Sequence, residues 1–191
     1  MLIELGYDRR KAREYARRWA YGRNPLFYNF TGIGGDCTNF ISQCLLAGCC
    51  TMNCKNTFGW YYNSASDRTP SWTGVQYLYD FLTRNEGAGP YARDADINEL
   101  ETGDLVQLGD REGRFYHTLL ITGARRGTYL VAAHSFDTFD RPLVSYSYAR
   151  LRPLKLLGCR GAARPAPDCF SNLLNAIAIP GRCPAGGLSS S

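Results

Sequence analysis

Histidine is nearly absent from this chain: only His117 and His134 occur. A catalytic or metal site built on imidazole must therefore use one or both. No apolar run approaches the roughly 18 residues that span a bilayer, so a transmembrane helix is not expected. Net charge is also scarce. Twenty-two Lys and Arg against 17 Asp and Glu leave a formal +5, too little and too scattered to argue for nucleic acid. The start, Met1-Leu2-Ile3-Glu4-Leu5, lacks a basic region followed by an apolar stretch, so no secretory signal is read there. Localisation is left unassigned, with the cytoplasm as the default. What the chain does have is 45% hydrophobic and 13% aromatic residues over 191 positions, enough for one real core.

Eight cysteines stand out, five of them between Cys37 and Cys54 and three in the tail. A domain of this size does not need cross-links to fold, and without an export signal the expectation is reduced thiols. Cys44, Cys49, Cys50 and Cys54 match no paired C-x-x-C spacing and have no histidine close in sequence, so no metal site and no cofactor are expected.

Apolar periodicity divides the chain in two. A helix is expected over 8–23, capped by Asp8, with Arg9, Arg10, Lys11, Arg13, Arg17 and Arg18 on its solvated face. A loop over 24–35 ends in glycines and delivers a second helix from about Asp36, with Phe40, Ile41, Cys44 and Leu45 on its apolar stripe. A third helix runs from about Ser71 to Thr83. Short strands are then expected at 105–108, 116–122, 128–134, 143–148 and 154–157, joined by polar turns. Helices first and a small antiparallel sheet second is the α+β pattern. Residues 1–158 form the expected domain. Residues 159–191, rich in Gly, Pro and Cys, read as an appendage with at most a short helix over 173–179.

The segment that could carry chemistry is Gly34-Gly35-Asp36-Cys37-Thr38-Asn39-Phe40. It puts Cys37 in the first turn of a helix, where unpaired N–H groups and the helix dipole favour a thiolate and can hold an oxyanion. The plain alternative is a small buried cysteine. His117 begins one apolar strand and His134 ends the next. Paired as a hairpin, one imidazole could act as base and the other could orient it. Asp137 is the alternative orienting group, and Asp36 or Asn39 could serve the site from the helix. Trp60, Tyr61, Tyr62 and Trp72 could form a substrate platform, although half-buried packing is the commoner role of such residues.

These residues carry a resemblance. Gly35-Asp36-Cys37-Thr38-Asn39-Phe40-Ile41-Ser42-Gln43-Cys44 resembles the signature of the putative amidase domain family of bacteria, related to the papain-like superfamily with its CHAP and NlpC-type cell-wall hydrolases. Tyr7-Asp8-Arg9, Asn24-Pro25, Gly59-Trp60-Tyr61-Tyr62, Ser71-Trp72-Thr73 and Ala133-His134 agree with it, over about residues 5 to 157. The resemblance implies a papain-like or NlpC-like fold and a cysteine amidase or peptidase acting on a peptide or peptidoglycan-like amide. It implies Cys37 as nucleophile, His117 as base and His134 as the third member, with Asp36, Trp60 and Tyr61 near substrate. An acyl transferase using the same site, a non-catalytic binding module of the same fold and a basic nucleic-acid binder are the alternatives.

Overall fold

The protein is described from a computed structural model covering residues 1–184. It is α+β, with a helical half packed on one antiparallel sheet. A two-residue strand β1 (Ile3–Glu4) leads into α1 (Arg9–Trp19). Asp8 caps α1 as expected, its carboxylate accepting from Arg10 N and Lys11 N at 3.1 Å. Then come α2 (Asp36–Cys49), α3 (Pro70–Thr73) and α4 (Val75–Arg84). The break between α3 and α4 falls at Gly74, so the single helix expected from Ser71 is two.

The sheet holds β2 (Gly89–Asp94), β3 (Leu105–Gly109), β4 (Phe115–Arg125), β5 (Thr128–Ala133), β6 (Thr138–Pro142) and β7 (Arg150–Gly161). Its order is β1-β7-β3-β4-β5-β6, with β2 also on β7. The strand expected over 143–148 is instead a single 3₁₀ turn, Leu143–Ser145, and the pairing strand lies just before it. No periodic signal announced β2, whose Gly-Pro start reads as a helix breaker.

The helix α2 is the centre of the molecule: every one of its residues is buried. Its expected one-sided stripe is therefore surrounded, by α1, α3, the sheet and the short C-terminal helix α5 (Cys169–Leu174). Close approach of α2 to the segment before α1 needs a glycine. A Cβ on Gly48 would lie 2.3 Å from the Tyr7 ring. The strands alternate between two cores. Leu105, Leu120, Ala132, Leu154 and Leu156 face the helices. Val106, Leu108, Leu119, Ile121, Val131 and Ala133 face a second cluster closed by Leu100 and Leu143. The two layers are tied by Arg9. It donates to Asp104 Oδ1 at 2.7 Å, Thr102 O at 3.1 Å and Leu156 O at 2.6 Å, and Asp104 is fully buried.

The tail corrects two expectations. Position 158 lies inside β7, so the expected domain end does not coincide with a structural boundary. The segment after it is bolted to the domain by disulfides Cys50–Cys169 and Cys54–Cys183, with Leu173, Ile179 and Cys183 in the main core. Reduced thiols throughout were thus the wrong expectation. The partners lie 119 and 129 residues apart in sequence, a pairing no local spacing reveals. The α5 helix starts earlier than the expected 173–179 segment, and the last seven residues of the expected appendage lie outside the described residues. No helix among the described residues is long and apolar enough to cross a membrane.

Candidate active site

Gly34 and Gly35 both have positive φ, 85° and 95°, a region that suits glycine, and they turn the chain into α2. Cys37 therefore falls in the first turn, as expected, with 6% of its surface exposed. The strand beside it explains where its sulfur goes. Paired to β5 only from Leu120 onward, β4 has an open edge at 117–118 because β5 turns away after Ala133 into its hairpin with β6. The first turn of α2 fills that gap. Thr38 Oγ1 lies 3.3 Å from Thr118 Oγ1, the Cys37 sulfur lies 3.7 Å from Thr38 Oγ1, and the Thr118 backbone N–H favours the Cys37 thiolate. The start of α2 thus meets β4 at Thr118, one residue from Cys37 on the helix side.

Burial pushes the Cys37 thiol above its ordinary range. The Thr118 and Thr38 N–H groups and the Thr38 hydroxyl pull it down, and the Asp36 charge pushes it up further, but burial dominates. The expected ready thiolate is therefore a neutral thiol at rest: loss of water outweighs the helix-start amides.

His117 is the next residue along from the Cys37 contact. It pairs in register with Leu108, and strand alternation turns its ring to the second core, where the Tyr146 ring lies 6.2 Å away. Thr118 points the other way, toward α2. Burial first, then the Arg141 charge, lower the His117 ring to about 4, so it is neutral at pH 7. Its Nε2 is buried without a hydrogen-bond partner. Thiol and imidazole thus flank one peptide unit, with no hydrogen bond between them in this resting arrangement.

His134 is not brought to His117. It opens the turn after β5, on the helix side of the sheet. Its Nδ1 lies 2.9 Å from Asp36 Oδ2 and its Nε2 3.0 Å from Trp19 O, and the ring stacks on Phe40 at 3.9 Å. Both nitrogens are engaged elsewhere, which corrects its expected role in orienting His117. Asp137 does not take that role either: it holds Arg23 through two bonds of 2.9 Å. Asp36, expected near substrate, is 2% exposed and turned inward. It accepts from Phe30 N, Thr31 Oγ1, Asn39 Nδ2 and Arg23 Nε. Burial alone would raise its carboxyl, but the hydrogen bond and charge of His134, with Asn39 and Phe30 N, hold it at about 2.

Trp60 is fully buried, donates to Ser42 Oγ at 3.1 Å and packs on Trp72, so it is core and not a substrate platform. Tyr61 is half-buried. It hydrogen-bonds Asp67 at 3.2 Å and lines an open cavity of about 1410 Å³ together with exposed Phe58 and Tyr77. Cys37 is not part of that cavity's wall. Cys50 and Cys54 are consumed in disulfides, which removes half of the cysteine cluster weighed for zinc. Arg23 was missed. It lies between a helix end and Asn24-Pro25, and nothing local in the sequence shows that it reaches Asp36, Asp137 and Thr31.

The family described as a putative amidase domain matches residues 6–156. An uncharacterised protein of Bacillus subtilis, YhbB, is 33% identical over 136 residues, which cover 69% of this chain and 42% of that protein. The chain thus spans less than half the length of the relative it matches. No solved structure matches.

Proposed function

Starting from a chain that belongs to the putative amidase domain family, we propose that it hydrolyses an amide bond with Cys37 as nucleophile and His117 as base. The observation that carries this reading is the meeting at the β4 edge. The residue after Cys37, Thr38, meets Thr118 at 3.3 Å, and the residue before Thr118 holds a buried imidazole nitrogen with no partner. An unsatisfied buried nitrogen costs stability, and a waiting proton acceptor is a reason to keep one.

The chemistry follows from two neutral groups. The reading requires the His117 ring, which rests against the second core, to reach the thiol during turnover. Catalytic contacts of this kind often close only with substrate bound. The Cys37 proton moves to Nε2 as sulfur attacks the carbonyl carbon. Asn39 N–H is already spent on Gly35 O at 2.9 Å, so the Cys37 amide is the first-turn donor aimed at the oxyanion. The C–N bond then breaks, the amine leaves with the proton from His117, and water releases the acyl group from sulfur. The Asp-Cys start of a central helix followed by an antiparallel sheet supports reading the chain as papain-like, near the CHAP and NlpC types.

The two disulfides favour work in an oxidising compartment over the cytoplasm. That setting suits a peptide or peptidoglycan-like amide as substrate. The test is hydrolysis of a panel of peptide p-nitroanilides and short acyl amides by wild type, Cys37→Ala and His117→Ala. Loss of turnover in both variants, with folding kept, is expected. Full activity in Cys37→Ala overturns the reading.

A further inference from the structure

Three cysteines, Cys159, Cys169 and Cys183, follow the residues that match the family. Three more, Cys49, Cys50 and Cys54, lie together at the end of α2 and just after it. Two of the tail cysteines are joined to this cluster in chain order, Cys169 to Cys50 and Cys183 to Cys54. The one left over from each group, Cys159 and Cys49, stand as thiols, and they are neighbours. The Cys159 sulfur lies 4.0 Å from the Cys49 carbonyl oxygen, although 110 residues separate the two in sequence. The side chains also meet: contact with the Cys49 thiol, ahead of burial, pushes the Cys159 thiol above its ordinary range.

The backbone holds both residues in place. Cys49 is the last residue of α2, and Cys50, at φ 54°, turns the chain out of the helix. Cys50 thereby reaches the start of α5, while Cys49 stays against β7. Cys159 is fixed inside β7, paired with Pro90 of β2 and accepting from Leu5 N at 2.8 Å. The two are 5% and 0% exposed. A buried cysteine can serve as a small apolar side chain, and Cys44 does so in the core. That role leaves unexplained why Cys159 meets the single unbonded member of the cluster, in the same order as its two bonded companions.

We infer that Cys49 and Cys159 form a third disulfide, so that every tail cysteine is fastened to the end of α2. The oxidant is a disulfide-bearing thiol reagent, small molecule or protein. The Cys49 thiolate attacks it and expels one thiolate, giving a mixed disulfide. The Cys159 thiolate then attacks the Cys49 sulfur and expels the second. One S–S bond forms in the protein and one breaks in the oxidant. Two electrons pass to the oxidant, and the two thiol protons end on its sulfurs. Because the finished pair is buried, the step belongs to folding, before β7 closes over α2. With six cysteines paired and Cys44 fully buried, no accessible thiol of the chain is left to mispair with Cys37. The inference stands whether or not Cys37 is the nucleophile.

The experiment refolds the full chain with reduced and oxidised glutathione, quenches in acid, and unfolds it in guanidinium with N-ethylmaleimide and no reductant. Digestion without reduction, with fragmentation of linked peptides by mass spectrometry, locates the bonds and the labels. The expected result is Cys49 linked to Cys159, neither of them labelled, while the fully reduced chain takes label on all eight cysteines. Cys49→Ser should free Cys159 for labelling, and Cys159→Ser should free Cys49, with Cys50–Cys169 and Cys54–Cys183 unchanged. Should either variant fail to fold, the wild-type result decides alone. Label on Cys49 and Cys159 in the refolded wild type would overturn the proposal, as would either residue linked to a different cysteine. Neither outcome bears on turnover by Cys37→Ala, which tests the nucleophile separately.

Discussion

Between pH 6.5 and about 4, acid should destabilise this protein chiefly through His117. Its ring falls from an ordinary value of 6.5 to about 4 because burial strips water from the charged form, with Arg141 adding to the effect. Between those values the unfolded chain binds a proton that the folded chain refuses. Stability therefore rises with pH across the window and is lost as pH falls from about 6.5 toward 4. At 1.36 kcal/mol per pH unit the loss by pH 4 is about 3 kcal/mol, a large share of a typical 5–15 kcal/mol. His117→Leu removes the titration and the partnerless Nε2 while keeping an apolar side chain in the second core. Urea unfolding followed by tryptophan fluorescence at pH 7, 6, 5 and 4 gives the comparison. The wild type should lose about 3 kcal/mol more than the variant over that range. Asp36, held at about 2, contributes its own acid sensitivity only below the window. Parallel wild-type and variant curves would refute the burial of a neutral imidazole at this position.

The disulfides close loops of 119 and 129 residues, and either one alone should contribute about 5 kcal/mol through the unfolded chain, the second adding less because the first already holds 50–54 near 169–183. Reduction should lower the melting temperature sharply, and Cys50→Ser alone should reproduce part of the fall; no change on reduction would contradict the tail's attachment. Asp104→Ala strips the buried partner from Arg9 and should cost about 3–5 kcal/mol in urea unfolding, while a loss below about 1 kcal/mol would mean that the clamp between α1 and the sheet is incidental.

The helical half was legible because its signals are local. Asp8 caps α1 where an N-cap belongs, and paired glycines put Cys37 in a first turn. The α+β order of elements was also readable from periodicity. What sequence concealed was long-range. Two histidines at the ends of neighbouring strands suggested a pair, but His117 faces the second core beside Tyr146 while His134, in the turn after β5, stacks on Phe40 of α2. Trp60 and Tyr61 are adjacent in sequence, yet one is core and the other lines a cavity, because an extended chain turns alternate residues apart. The thiolate expectation counted helix-start amides and had no measure of burial. Arg23 and the disulfide partners reveal themselves only once distant segments are placed side by side.

The central claim is that Cys37 carries the acyl group between the two halves of the reaction. Acid-quenched reactions on the best amide of the panel, digested and read by mass spectrometry, test it most directly. The account predicts an acyl mass on the peptide containing Cys37, appearing before free acid and absent from Cys37→Ala. Turnover with the acyl mass on another residue, or with none on Cys37 at any time point, would contradict it.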